Sequence, residues 1–290
     1  MIIIRMKGGL GNQMFQYALY RQLQAMHREV KMDDMTGFRE DSQRNPALSV
    51  FGINYERATQ EEVTEATDSY MDFFSRVRRK IFGRKTLEYE ERDGNFDPIV
   101  LQMKDSYLVG FWQSEQYFPD QKVRDLLLKE FLSRKDEILK NDEEKGILHQ
   151  IMDTESVSLH VRRGDYLQPG TVETFGGICT PEYYRKAQER IREQYPDAIF
   201  YIFSNDMEWA GENFSAPDYR PVICKCDQAD AAELFLMSSC RHHILANSSF
   251  SWWGAWLSEH GEDHLTISPS RWLNHKKMTD IYTDDMTKVD

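Results

Sequence analysis

The chain has 290 residues, of which 40% are hydrophobic, and carries a formal net charge of -12. That length exceeds the usual single domain and can bury a sizeable core, so two domains are expected. The acidic balance argues against a nucleic-acid partner, because a phosphate backbone needs a surplus of Lys and Arg on the docking face.

Only a few apolar residues precede Arg5, too few for a secretory signal, and no later run approaches the roughly 18 that cross a bilayer, so a cytoplasmic location is expected. Residues 2–6 read as a strand, 8–11 as a glycine loop, 14–26 as a helix and 30–32 as a second strand, which is a βαβ opening. From about residue 59 to 145 the chain is charge-rich and helical in pattern, with strand character only over 106–111. Beyond residue 156, apolar runs at 157–161, 199–203, 243–246 and 265–268 alternate with helical stretches at 181–194, 231–238 and 250–259. That alternation predicts a parallel sheet covered by helices. The expected domains are therefore 1–150 and 151–290. Cys179, Cys224, Cys226 and Cys240 form no pair of C-x-x-C motifs, so neither a disulfide framework nor a zinc ribbon is indicated.

Four segments carry candidate chemistry. In Gly8-Gly9-Leu10-Gly11-Asn12, missing side chains at Gly9 and Gly11 let a backbone approach a ligand, and the following helix start favours anions. A dinucleotide fold is a rival, with Asp33 and Asp34 at the ribose-binding position, although Met14 stands where its third glycine belongs. In His160-Val161-Arg162-Arg163-Gly164-Asp165-Tyr166, two guanidiniums follow a buried strand, where they can hold a diphosphate; an ion pair with Asp165 is the plainer alternative. Ser204-Asn205-Asp206 ends the next strand and reads equally as a turn and cap. In Asn247-Ser248-Ser249-Phe250, hydroxyl caps open a helix whose N-terminal donors suit a pyrophosphate. Trp252, Trp253 and Trp256 follow at helical spacing and are expected to pack rather than to bind sugar.

Together with Gly110-Phe111-Trp112-Gln113-Ser114-Glu115-Gln116-Tyr117-Phe118, these segments resemble, in order, the motifs of the bacterial α-1,2-fucosyltransferases, from residue 1 to about 257. The resemblance implies an α/β fold of GT-B type, two Rossmann-like domains facing across a cleft, with the acceptor chiefly on the N-terminal half and GDP-fucose chiefly on the C-terminal half. It implies that Arg162 contacts the β-phosphate, that Ser248 or Ser249 meets the phosphates, and that Asn12 lies near phosphate and fucose. Glu233 falls where related enzymes recognise guanine, with His160 near the nucleoside. Asn205, Asp206, Asn247 and Phe250 complete the expected donor site.

No cofactor or metal is expected: the sequence contains no Asp-x-Asp, so arginine and helix-terminus charge would stabilise the departing GDP. The resemblance implies inversion and a galactose-terminated acceptor. Asp165 is the first candidate for the base, or else orients Arg162; Glu173, Asp34 and Glu115 follow. Finally, Arg76, Arg78, Arg79, Lys80, Arg84 and Lys85 interleave with Phe73, Phe74, Val77, Ile81 and Phe82. This stretch is a candidate for weak contact with a membrane presenting a lipid-linked acceptor, against the alternative of a solvated helix face.

Overall fold

The computed structural model describes every residue except Glu40, Ser42, Gln43, Glu259, Gly261 and Glu262. The chain divides into two compact units, Met1–Phe131 and Leu132–Asp290.

The first unit contains β1 (Ile2–Arg5), α1 (Leu10–Ala25), β2 (Val30–Asp33), α2 (Thr36–Arg39), α3 (Gln60–Ala66), α4 (Phe73–Phe82), β3 (Glu88–Glu90), β4 (Ser106–Val109) and α5 (Gln121–Phe131). Its four strands are all parallel, in the order β2-β1-β4-β3. The apolar run of β1 is buried almost completely, as a central parallel strand requires. Ile3 and Tyr107 pack with Val63 and Ala66 of α3, while α1 lies against β1 and β2.

The second unit contains α6 (Lys135–Ile138), α7 (Asp142–Met152), β5 (Ser156–Val161), α8 (Val172–Phe175), α9 (Pro181–Arg192), β6 (Ile199–Ser204), α10 (Met207–Asn213), β7 (Tyr219–Pro221), α11 (Ala229–Ser239), β8 (His242–Ile244), α12 (Ser249–Trp256), β9 (Thr266–Pro269) and β10 (Met286–Val289). Its six strands are again parallel, in the order β10-β9-β8-β5-β6-β7. The period-two geometry of β5 turns Val157, Leu159 and Val161 into a core with Tyr183, Tyr184, Ala187 and Ile191 of α9. The alternate residues Ser156, Ser158 and His160 face the other side of the sheet, where the His160 ring stands 5.9 Å from that of Phe250 on α12.

Each unit is thus a Rossmann-like parallel sheet with helices against it, the α/β class expected. The domain boundary, expected near residue 150, instead falls at Phe131, because α6 and α7 pack against α11 and belong to the second unit. The end expected for α12 at Glu259 lies outside the described residues. Three strands that the sequence pattern does not reveal, β3, β7 and β10, sit at sheet edges.

Candidate active site

Both sheets reverse their direction of growth beside their first strand. In the first unit the chain runs from β1 to β2 on one side and later returns to β4 on the other; in the second it runs from β5 through β6 to β7 and returns to β8. Such a reversal opens a crevice at the C-terminal ends of the two strands, which is where open α/β sheets bind ligands.

In the first unit, Gly8 through Asn12 line one side of that crevice. Gly8 takes φ +80, a left-handed conformation that other residues rarely adopt, so the glycine that bends the loop precedes the two expected to serve a ligand. Gly9 caps α1, and a methyl group there would stand 3.2 Å from the Arg44 guanidinium. Gly11 lies buried in the first turn. Gln16, fully buried, ties the crevice together: its Oε1 accepts from Lys7 N at 3.1 Å, and its Nε2 donates to Lys7 O at 3.3 Å and to Gly110 O at 2.9 Å. Gln113 Nε2 donates to Asn12 Oδ1 at 2.6 Å, joining the glycine loop to the segment after β4. Glu91 accepts from the backbone N–H groups of Phe111 and Trp112, a role the sequence does not announce.

The acids weighed for ribose or for catalysis in this unit are committed elsewhere. Asp33 is buried and accepts from Met35 N, Thr36 N, Thr36 Oγ1 and the Tyr107 hydroxyl, so its carboxylate is fully engaged within the unit. Asp34 accepts from Arg57 Nε and from the Tyr55 hydroxyl, each at 2.8 Å. Glu115 pairs with Arg124 at 3.3 Å.

In the second unit, β5 delivers His160 and Arg162 to the crevice. Arg162 Nη2 donates to Asp165 Oδ2 at 2.6 Å, and its guanidinium lies 5.6 Å from the Tyr166 ring centre. Asp165 Oδ1 in turn accepts from Asn205 Nδ2 at 3.2 Å, so the end of β6 steadies the same carboxylate. The ion pair weighed from sequence is therefore present. Arg163 is used differently: its Nε donates to Asp206 Oδ2 at 3.1 Å and its guanidinium covers the Trp209 ring at 4.4 Å. Asp206 also caps α10 by accepting from Trp209 N. Asp206, expected to meet the donor, thus makes these two contacts within its own unit.

Two nitrogens at this strand end are buried without a hydrogen-bond partner among the described residues, His160 Nδ1 and Arg162 Nε. An orphaned buried polar group costs about 1–3 kcal/mol, so such groups mark a place where a ligand has something to satisfy. Burial, helped by the Arg162 charge, holds the His160 pKa down to about 3, so the ring is neutral near pH 7. Burial and the neighbouring Asp230 push the Glu233 carboxyl up to about 7, against an opposing pull from Arg162. That electrostatic coupling brings Glu233, on α11, into the same neighbourhood as Arg162.

The loop after β8 supplies the remaining expected residues. Ser248 caps α12 by accepting from Phe250 N at 3.3 Å. Ser249 opens the helix and is partly exposed, as is Phe250. The side chain of Asn247, also expected at the donor, donates from its amide to Phe175 O and Trp272 O and accepts at Oδ1 from Cys179 Sγ. Its side chain shapes the loop, and its backbone carbonyl accepts from Tyr166, whose ring stacks on Phe175 at 4.6 Å. Trp252 and Trp253 are fully buried, as packing residues should be, and Trp252 Nε1 donates to Ile281 O. Of the four candidate bases, Glu173 is the one whose carboxylate is exposed and outside any ion pair among the described residues. No helix among the described residues is long and apolar enough to cross a membrane.

Comparison with known proteins agrees with a sugar-transfer site. The family model described as glycosyl transferase family 11 matches residues 85–289. The chain is 31% identical over 286 residues to an alpha-1,2-colitosyltransferase of Escherichia coli, covering 96% of this chain and 94% of that protein. It is likewise 31% identical over 301 residues to the O-antigen biosynthesis glycosyltransferase WbnK of Escherichia coli, covering 94% and 96%. A galactoside alpha-(1,2)-fucosyltransferase 1 of Saimiri boliviensis boliviensis shares 33% identity over 105 residues, 35% of this chain and 28% of that one. Among solved structures, an Escherichia coli ADP-heptose heptosyltransferase II is similar over 99% of this chain and 89% of its own, at 12% identity and a TM-score of 0.49. The chain belongs to glycosyl transferase family 11 and is a glycosyltransferase.

Proposed function

We propose that the enzyme transfers L-fucose from GDP-β-L-fucose to the 2-hydroxyl of a terminal galactoside, forming an α-1,2 linkage with inversion, in the synthesis of O-antigen or another surface glycan. The observation that carries this reading is the pair of orphaned nitrogens, His160 Nδ1 and Arg162 Nε, beside the capped start of α12. A permanent cation and a helix N-terminus there suit a nucleoside diphosphate as leaving group. The α-1,2 specificity named for two of the relatives supports the linkage, and the galactoside named for one of them supports the acceptor.

In this reading Arg162 opposes the negative charge that grows on GDP as the glycosidic bond breaks, and Asp165 with Asn205 holds its guanidinium in place. Catalysis then comes from charge already in position before the reaction starts. The same arginine supplies the leaving-group stabilisation that a metal would otherwise provide, so transfer is proposed to run without one. Glu233 offers its carboxylate to the guanine N–H donors, and Ser248 and Ser249 meet the phosphates. Glu173 becomes the leading candidate to take the acceptor proton, since the other three acids are held in ion pairs.

A second donor is favoured by one observation, the 96% coverage of this chain by a relative named as a colitosyltransferase. Release of GDP in the presence of a terminal β-galactoside separates the two: release from GDP-fucose supports the first reading, release from GDP-colitose alone replaces the donor, and release from neither overturns both.

A further inference from the structure

Helix α4 is mounted with its amphipathic character reversed. Helical spacing gathers Phe73, Phe74, Val77 and Ile81 on one arc, with Arg79 on the far side. In a helix that serves a core, the apolar arc would face inward. Here the polar side faces inward: Arg79 donates to the carbonyls of Asp68, at 2.9 Å, and Tyr70, at 2.6 Å. Arg78 pairs with the Asp68 carboxylate, which also accepts from Lys85 N at 2.9 Å. No residue of the helix is buried, and Phe74 is 83% and Phe82 75% exposed.

The ends of the helix are built rather than frayed. Asp72 caps its start by accepting from Ser75 N at 2.9 Å, and Gly83 closes it at φ +78. Met71 and Leu87, both exposed, extend the apolar surface past each end. The helix therefore holds its bare aromatic face in place through polar anchors to Asp68 and Tyr70, and the protein keeps this arrangement against the cost of leaving that face in water.

Charge states what covers it. Between residues 70 and 87 stand Arg76, Arg78, Arg79, Lys80, Arg84 and Lys85 against one carboxylate, Asp72, in a chain whose net charge is -12. Arg76 and Lys80 flank the apolar arc and are exposed, as are Arg84 and Lys85. Aromatic side chains that enter the acyl boundary, ringed by cations at headgroup level, fit an anionic bilayer surface.

We infer that α4 is a docking surface for an anionic lipid bilayer, with Phe73, Phe74, Val77 and Ile81 entering the interface and Arg76, Lys80, Arg84 and Lys85 meeting the headgroups. The surface is independent of the donor site, so it stands or falls apart from the sugar that the enzyme transfers. Each cation near such a surface strengthens binding by about fivefold, and the effect is screened by salt.

The test is flotation of the whole chain with vesicles of phosphatidylcholine alone and of phosphatidylcholine mixed with phosphatidylglycerol, at low and high salt. The parent should float with the mixed vesicles at low salt only. The double variants Phe73→Ala with Phe74→Ala, and Arg76→Glu with Lys80→Glu, should each lose at least tenfold in partitioning. Both alter exposed side chains, so their thermal unfolding and their rate on a soluble acceptor should match the parent. Absence of the parent from the mixed vesicles, equal binding by the variants, or a dimer in light scattering that either double variant dissolves would overturn the inference.

Discussion

The guanidinium of Arg162 and the carboxylate of Asp165, three positions apart in the chain, meet through a 2.6 Å hydrogen bond at the C-terminal end of the central strand of their sheet. The bond fixes the direction of the cation while its Nε stays without a partner among the described residues. Replacement by lysine keeps the charge and loses the fork, so Arg162→Lys should lower turnover by about 10² to 10³ with little change in thermal stability. Steady-state kinetics on the purified variant checks this; near-normal turnover removes Arg162 from its role.

Asp165→Asn separates the orienting role from a proton-accepting one. Loss of a general base costs about 10² to 10⁴ in rate and removes the acidic limb of the pH profile. With both carboxylate oxygens already accepting from Arg162 and Asn205, the variant should show a smaller loss and an unchanged profile. Glu173→Gln is expected to give the larger loss and the altered limb.

Glu233 predicts a pH dependence of both binding and stability. Its carboxyl, pushed from 4.5 up to about 7 mainly by burial, keeps a proton in the folded protein that the unfolded chain releases. Stability should therefore fall as pH rises from about 4.5 to 7, by at most about 1.4 kcal/mol per pH unit, and level off above 7. GDP binding runs the other way, because the ionised carboxylate accepts from guanine: affinity should drop by up to about tenfold per unit as pH falls below 7. Calorimetric titration of GDP and thermal unfolding across this pH range should show both trends flattened in Glu233→Gln.

Much of this architecture is legible in the sequence. The strands β1, β5, β6 and β8 are short apolar runs followed by turn residues, and the glycine loop and the caps of α12 mark where each unit opens. Strands β3, β7 and β10 are not legible, because three or four residues without an apolar run become a strand only by pairing at an edge. Site residues divide in the same way. The placement of His160 and Arg162 at the end of β5 follows from the apolar run before them, whereas the contacts of Asn247 depend on Phe175 and Trp272, and that of Asp34 on Arg57, none of which a local pattern identifies.

Gln16 offers a test of how the first unit holds its loop. Gln16→Leu keeps the volume and strips the hydrogen bonds from Lys7 and Gly110, so each group left unpaired should cost about 1–3 kcal/mol. A lowered unfolding temperature accompanied by lower transfer activity is the expected result, read by calorimetry and GDP release.

The central claim is transfer of fucose to the 2-hydroxyl of a galactoside by charge that the protein itself supplies. Incubation of the enzyme with GDP-fucose and a panel of terminal β-galactosides in the presence of a chelator, followed by NMR of the product, tests it most directly. An α-1,2-linked fucoside formed at full rate with chelator present is the predicted result; a different linkage, a retained β configuration, or activity that returns only on adding a divalent metal would contradict it.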